Sequence, residues 1–563
     1  MRALLAVALL AVAPLGHARS VARGFKDGRV GCAARMCAPL GRHSVGVIGG
    51  GVSGIWAATE LVRLGYEVTL LEAEAELGGK ARSFELDDGG PGSVRRSYPL
   101  GAVMTPFALR ENSFAEAKPL EAPLEFAWQV LTYSRRRLQL LHANWLVVGD
   151  KTTDSFAARG PLRTVPFDLG KDSAVDRAVS SWRSAFGVSG LSERFYAHKI
   201  DFGSAEGARL AQPAAAELLK WGSQLREWPL VFTSSHGYGL LDGDATPPYY
   251  YWLRFMQKAT NVARLGVWWR HGAGLPGGPT GPSLRGFDHN THFLSVVSEA
   301  GPLLKVHMSA CVTSVCRPPT GARRDPCDIK VCTTAGNFAF DSLIVAMDLK
   351  AARRFLDSEV EEAAMAAQIR HLTYYTVVSR ATVPALEPGR VFYVSNSQTT
   401  AELCAPTIML KPYADSDVLI TWAYGQPPQE PDGVAVGAAE ASERAAAERA
   451  ALESRVMDSV GRLGGKFHGI ERVERWGEYF PHVGSEDLRA GFHSRLDALQ
   501  GGRGTYYVGE ICNLPLVSEC IDFARYLVRR CFAPQSDLLT VRQEKRRPVE
   551  RAADAELAAA GRR

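Results

Sequence analysis

Short β-branched runs that alternate with helical stretches around glycine-rich turns predict an α/β protein. Three observations carry this. A strand, a glycine turn, a helix and a second strand follow one another between Ser44 and Glu72. Strand-length apolar runs recur from about Leu303 to Tyr424. Between them, about Phe114 to Ala259 is rich in Leu, Ala, Trp and aromatic residues at helical spacing. The expected architecture is a Rossmann-like dinucleotide domain assembled from separated parts of the chain, with a mixed-sheet substrate domain and a helical cap.

The first unit is the most explicit. Val45 to Ile48 reads as a buried parallel strand and runs into Gly49-Gly50-Gly51-Val52-Ser53-Gly54, which is G-x-G-x-x-G. Gly49 permits the tight turn, Gly51 lets the backbone approach a pyrophosphate, and Gly54 lets the helix from Val52 to about Leu64 pack on the strand. Free amides at that helix start face the phosphates. Glu67 to Leu71 is the second strand, and Glu72 stands about 20 residues past the glycines, where a carboxylate accepts both ribose hydroxyls. An acid there disfavours a 2′-phosphate.

Leu77-Gly78-Gly79-Lys80-Ala81-Arg82-Ser83 resembles the second glycine pair of the flavoprotein superfamily that includes amine oxidases and carotenoid desaturases. The resemblance implies FAD rather than NAD, a fold of the glutathione-reductase and amine-oxidase type, and cofactor contacts at Val52, Ser53, Ala73, Gly79 and Lys80. It also places the Gly101-Ala102 pair, with Val103 and Met104, against the flavin, although such a pair alone is usually only a turn.

The chain of 563 residues, with 46% hydrophobic and 22% charged content, is long enough for two or three structural units. Seven basic residues precede residue 44 against Asp27 alone, so the formal net charge of +5 belongs to the leader and the remainder is close to neutral. No nucleic-acid partner is inferred. Met1 to about Ser20 has a basic start, an apolar run and small residues, the pattern of a signal peptide, and Val21 to His43 is arginine-rich and acid-poor like a transit peptide. Residues 1–43 are therefore read as a leader directing the protein to the secretory route, either for secretion or for an organelle such as a plastid, with no transmembrane anchor after its removal. Ten cysteines do not make a disulfide scaffold at this length. Cys311, Cys316, Cys327 and Cys332 read as small buried thiols, and no metal site is expected.

The boundaries that follow are 44–110 and 286–350 for the first two parts of the FAD domain, 111–285 for the cap and substrate region, 351–480 for the substrate domain, 481–532 for the C-terminal part of the FAD domain, and 533–563 for a polar tail. In the cap, Ser134 to Arg137 is a basic knot able to grip an anionic head group, although such knots are more often solvated faces. The run from Phe232 to Gly239, with Pro247 to Trp252, is a glycine-hinged aromatic cluster suited to an apolar tunnel, or simply to a packed core. His271 to Gly286 reads as a loop. Leu303–Val306, Cys311–Cys316, Ile329–Thr333 and Phe338–Asp341 read as a meander of short strands, with Leu343–Ala346 a further buried strand. Ala435 to Val460 reads as a helix with a solvated charged face.

Near the end, Gly504 to Glu510 reads as a strand closed by a Gly-Glu pair, followed by a helix from about Ser518 to Cys531. In the superfamily this arrangement seats the flavin, which implicates Gly509, Glu510, Val517 and Ser518, while the backbone near Val312 meets the adenine. The positive helix end favours negative charge on the reduced ring. The segment from Tyr479 to Gly491, Leu499 to Gly501, Thr505 to Ile511 and Glu519 resemble one branch in particular, the FAD-containing polyenoic fatty acid isomerases, as do Tyr98 to Met104 and His236 to Gly239. That branch has a bulky aromatic residue where His236 stands.

The resemblance implies non-covalent FAD, a lipid substrate of the polyunsaturated fatty acid class, and a double-bond isomerisation in which the flavin takes a hydride and returns it. The flavin carries the chemistry, so no residue is required as nucleophile or base; His236 and Tyr238 are the candidates for contact with substrate, and His482 reads as structural. The alternatives are a flavin amine oxidase or carotenoid-desaturase-like enzyme that passes electrons to oxygen or a quinone, and a non-catalytic flavin or lipid carrier.

Overall fold

The structure is a computed structural model and describes residues 43–533 apart from 88–94, 102–104, 107–138, 149–162, 167–195, 219–232, 241, 243–245, 256–282, 287–288, 322–324, 326–327, 389, 395–398 and 427–437. The leader, the basic knot at 134–137, Ala102 to Met104 and the polar tail from 534 onward lie outside the described residues.

Among the described residues the nucleotide end is a five-stranded parallel sheet. It uses β1 (Ser44–Ile48) and β2 (Glu67–Leu71), joined by helix α1 (Val52–Arg63). Beyond a two-stranded hairpin of β3 (Ser83–Asp87) and β4 (Arg95–Pro99) come β5 (Thr105–Pro106), β6 (Gln139–Val148), β7 (Arg163–Pro166) and β8 (Ser283–Gly286), which belong elsewhere. The parallel sheet is then completed by β9 (Leu304–His307), and, past the antiparallel trio β10 (Val312–Cys316), β11 (Ile329–Thr333) and β12 (Gly336–Phe340), by β13 (Ser342–Val345). Val45, Val47, Leu70 and Leu343 to Val345 are almost wholly buried, as the run of apolar residues in a sheet covered on both faces requires.

Among the described residues the second sheet has nine strands. Arg370–Thr382 (β14), Arg390–Val394 (β15), Pro406–Leu410 (β16), Val418–Tyr424 (β17) and Lys466–His482 (β18) form it with β5 to β8; the last strand of the chain, Thr505–Tyr507 (β19), returns to the edge of the parallel sheet beside β13. β14 shows why this layer is buried on both sides. Leu372, Tyr374 and Val378 enter the core shared with the nucleotide end, while Tyr375, Val377 and Ala381 enter a separate core. The alternation is the period of two of a strand. The second core is covered by the helix Ala438–Arg462, whose Leu452, Val456 and Val460 form one apolar stripe while most of its other described side chains are exposed.

Four expectations change. Gln139–Val148 and Arg163–Pro166, within the stretch expected to be helical, are strands that pair with each other, and β6 also pairs with β15 and β8. A ten-residue apolar run satisfies helix and strand periodicity equally, and pairing partners far along the chain decide it. Leu304–His307 extends the parallel sheet beside β2 rather than opening a meander, and Ser283–Gly286 is a strand rather than loop. Among the cysteines read as buried thiols, Cys311 and Cys316 are exposed and Cys332 is disulfide-bonded; strand alternation on a small sheet turns these positions outward.

A buried charge cluster ties the antiparallel trio to the return strand. The Arg317 guanidinium, with no exposed side-chain surface, bonds Asp357 at 2.6 Å and Glu362 at 2.7 Å, and reaches the Tyr507 hydroxyl at 3.1 Å. Burial alone lowers an arginine pKa, but the two carboxylates outweigh it and raise this one. Burial likewise raises Glu362, and the bond from Arg317 more than reverses it, holding that carboxyl below its usual range. Arg503, at φ +51, adds a 2.6 Å bond to Asp357.

Candidate functional site

The two glycine turns lie one upon the other. Gly49 has φ +103 and its amide bonds Leu71 O at 2.8 Å, which closes the turn between β1 and α1. A Cβ on Gly54 would stand 1.9 Å from Gly49 O, so the helix can pass the strand only with glycine there. Gly78 N bonds Gly50 O at 2.8 Å, and Gly79, at φ +55, sits against Gly51. Above Gly51 there is room: a Cβ there would meet nothing nearer than Gly79 Cα at 3.8 Å. No side chain caps α1 at Gly51, so the first-turn amides at Val52 and Ser53 keep no capping acceptor. An open cradle over a glycine, at an uncapped helix start, fits a diphosphate.

Glu72, at the end of β2, is buried and held in place. Its Oε2 accepts the Gly50 amide at 2.5 Å and its Oε1 accepts the Glu74 amide at 2.8 Å. Each carboxylate oxygen keeps a lone pair for a further donor. Ala73 beside it is exposed. Ala310 N bonds Glu72 O at 2.8 Å, which brings the start of β10, with half-buried Val312, towards the end of β2. Gly101 belongs to the same construction, because a Cβ there would fall 1.6 Å from Lys80 O.

The C-terminal signature closes on these turns. Gly509, at φ +143, follows β19, and Glu510 Oε2 lies 2.8 Å from Lys80 Nζ, which also bonds Glu478 O. The helix Val517–Phe532 starts at Val517 without a side-chain cap, and Ser518 occupies its second position. Its Cys520 contacts the Ser53 hydroxyl on α1, and burial pushes the Cys520 thiol up. In its first turn Glu519 is almost wholly buried, paired with Arg254 at 3.0 Å and bonded by Asn513 at 2.9 Å.

His236 and Tyr238 stand on a loop that the large sheet holds by its carbonyls. Tyr424 OH donates to Ser234 O at 2.6 Å and lies 3.1 Å from the Gly239 amide; Tyr374 OH donates to Ser235 O; Tyr479 OH donates to His236 O at 2.9 Å; Trp252 donates its indole N–H to Tyr238 O. Tyr238 OH in turn donates to Pro515 O at 2.7 Å, two residues before the C-terminal helix. The half-buried His236 ring lies 5.3 Å from Phe255 and 5.4 Å from Tyr393. Burial, with Glu510 nearby, pushes the Tyr238 phenol well up, and burial does the same to Tyr374 and Tyr424, so these hydroxyls stay protonated and act as donors. The hydroxyls of Thr233, Ser234 and Ser235 are buried without a partner. His482 is buried, bonds Phe480 O at 2.8 Å through Nδ1, and is pushed by burial down to about 4, a neutral structural ring.

The structure thus brings together Gly49 to Gly54, Glu72, Gly79, Lys80, Gly101, Gly509 and Glu510, and joins His236 and Tyr238 to Pro515, just ahead of Val517. Sequence reasoning missed the tyrosines 374, 393 and 424, and named Tyr479 only as the head of the segment that resembles the isomerase branch. It also missed the buried pair of Asp348 and His371 at 3.0 Å, where burial raises the carboxyl but the histidine and Lys80 outweigh it and hold it low. The only local signal for the tyrosines was their inward place in alternating strands.

Residues 47–109 match the NAD(P)-binding Rossmann-like domain family. A carotenoid phi-ring synthase of Streptomyces griseus is 41% identical over 90 residues, a match that covers 14% of this chain and 17% of that protein. Among solved structures, a CLA-producing fatty acid isomerase from P. acnes superposes with a TM-score of 0.60 at 18% identity, over 87% of this chain and 98% of the other. Putrescine oxidase bound to putrescine gives 0.54 at 12% identity, over 88% and 99%. At such identities the likeness is one of fold. The glycine-turn domain thus matches a Rossmann-like family, and the architecture along most of the chain is one shared with a fatty acid isomerase and with putrescine oxidase.

Proposed function

We propose that the protein binds FAD non-covalently and isomerises double bonds of a polyunsaturated fatty acid. The observation that carries the proposal is the linkage of an open diphosphate cradle to an aromatic loop: His236 and Tyr238 reach the segment before Val517 through the bond from Tyr238 to Pro515. The end-to-end likeness to the fatty acid isomerase fold supports the same substrate class. FAD, once bound, supplies the acceptor and donor of the hydride.

The chain's own residues bind, orient and exclude water. Gly51 leaves space for the diphosphate and the amides of Val52 and Ser53 face it; Glu72 offers its remaining lone pairs to a ribose; Lys80 brings a positive charge that Glu510 balances. Phe255, Tyr374, Tyr393, Tyr424 and Phe480 form a buried, largely apolar wall beside the loop, which adds Tyr238 to it. With the phenols held protonated, the wall offers no base, which suits a reaction whose hydride leaves and returns at one cofactor.

The test is anaerobic incubation of the holoprotein with linoleate and longer polyenoic acids. A conjugated-diene band with oxidised flavin regenerated supports isomerisation. Bleaching of the flavin by an amine or isoprenoid without a diene supports an oxidase or desaturase instead, and the carotenoid phi-ring synthase match makes a carotenoid one of the isoprenoids to try. We also propose that the protein enters the secretory route, for secretion or an organelle such as a plastid. The disulfide at Cys332 supports an oxidising compartment. No helix among the described residues is long and apolar enough to cross a membrane.

A further inference from the structure

Tyr479 touches both halves of the candidate site. Its hydroxyl donates to His236 O at 2.9 Å, and its ring lies 5.9 Å from Lys80 Nζ, the ammonium that bonds Glu510 and the carbonyl of the preceding residue, Glu478. The ring stacks at 4.9 Å on Tyr374, which holds the next carbonyl of the loop, Ser235 O. The loop is shaped to this ring. Gly237 has φ +86, and a Cβ on it would stand 2.4 Å from Tyr479 Cε1.

The strand is distorted to deliver the ring. Phe480, wholly buried, has φ +49, a left-handed conformation that costs a non-glycine residue about 1 kcal/mol or more. Near it the pairing of β14 with β18 slips between Arg370 and Leu372 and again between Leu372 and Tyr374. A regular strand would send Tyr479 and Phe480 to opposite faces. Here Tyr479 meets the loop at His236 O while Phe480 packs edge-on against Tyr238 at 5.3 Å, so both residues serve the same loop. Strain kept at such a place points to a use.

We infer that Tyr479 is a positioning residue: it sets where His236 stands relative to the Lys80 and Glu510 cofactor segment, and so which carbon of a polyene chain is presented for reaction. The substrate part of this rests on the fatty acid reading above; the clamp itself does not. Tyr479→Phe keeps the ring, its stacking and its place over Lys80, and removes only the bond to His236 O.

The experiment compares wild-type and Tyr479→Phe holoproteins by flavin content, amide hydrogen exchange, and kinetics with product analysis on linoleate. The expected result is unchanged flavin content, exchange of residues 233–240 faster by about fivefold for one lost hydrogen bond, a higher KM with kcat little changed, and an altered ratio of positional isomers among the conjugated products. Gly237→Ala, which pushes the loop off the same ring, is expected to change the isomer ratio in parallel. Unchanged exchange at 233–240 overturns the inference, as does a rise matched in β14 and β17, which would mean general loosening. An unchanged isomer ratio and KM, despite a loosened loop, overturns the positioning role. If the wild type makes no conjugated product, the fatty acid reading falls, and the exchange comparison still decides whether Tyr479 holds the loop.

Discussion

Lys80 Nζ stands 2.8 Å from Glu510 Oε2, a bond between residues 430 positions apart that closes the second glycine turn on the C-terminal signature. Both side chains are less than one-third exposed. Lys80→Met leaves Glu510 without its partner beside the diphosphate cradle. FAD affinity is expected to fall about tenfold, roughly 1 to 1.5 kcal/mol, with the fold retained. Fluorescence titration of apoprotein with FAD measures this, and affinity unchanged within twofold would contradict a cofactor role for Lys80.

The two glycines of the first turn are expected to fail differently. Gly54→Ala puts a Cβ 1.9 Å from Gly49 O, against backbone that cannot step aside, and should destabilise the domain by about 3 kcal/mol or more. Gly51→Ala meets only Gly79 Cα, at an unstrained 3.8 Å, so the protein should keep its thermal stability and lose its yellow colour. Melting curves and flavin absorbance separate the two; Gly51→Ala with stoichiometric FAD would sink the cradle argument.

Acid sensitivity follows from two buried histidines. Burial pushes His482 down to about 4 and His493 to about 3, from 6.5. From about pH 6.5 to about 4 the unfolded chain takes up protons that the folded chain refuses. Stability is therefore present above pH 6.5 and declines as pH falls, by about 1.4 kcal/mol per unit for each histidine. Neither ring nitrogen of His493 has a partner, so His493→Phe should leave stability at pH 7 equal or higher and flatten the acid limb. Urea midpoints measured across pH 4 to 7 test it; an unchanged slope in the variant would show that His493 is not buried neutral.

Arg317 carries the heaviest expected cost. Replacing it by Met leaves Asp357 and Glu362 facing each other without their common partner, and Glu362 is buried. The loss should be about 3 to 5 kcal/mol. Arg317→Lys, which cannot fork onto two carboxylates, should recover only part of it. Thermal unfolding at neutral pH reads both, and a Met variant as stable as wild type would refute the cluster's structural role.

What could be read from the chain alone was what is local. Gly49, Gly54 and Glu72 lie within one strand-helix-strand unit, and each has a backbone reason to be where it is. The glycine motif named Gly51 and the resemblance named Lys80 and Glu510, each separately, as cofactor contacts; that Gly51 meets Gly78 and Lys80 meets Glu510 was not legible, since nothing between residues 80 and 510 encodes their meeting. The tyrosines 374 and 424 looked like ordinary inward residues of separate strands, Tyr479 stood only at the head of the C-terminal signature, and their common task exists only once β14, β17 and β18 lie side by side. Gln139–Val148 misled for a related reason: its partner β15 lies more than 240 residues on, and propensity does not see partners.

The parallel sheet is laid out in the order β19, β13, β1, β2, β9, so its last edge is supplied by Thr505–Tyr507. During synthesis β1 and β2 leave the ribosome with both flanks open until β9 and β13 follow, and the outer edge of β13 then waits through about 160 further residues for Thr505–Tyr507. Closure of so distant a pair is slow, and the waiting edge is exposed to wrong partners. Retention of the yellow cofactor is then a report that translation reached the C-terminal helix: a chain truncated before residue 505 is expected to fail as a flavoprotein even though every residue of its glycine motifs is present.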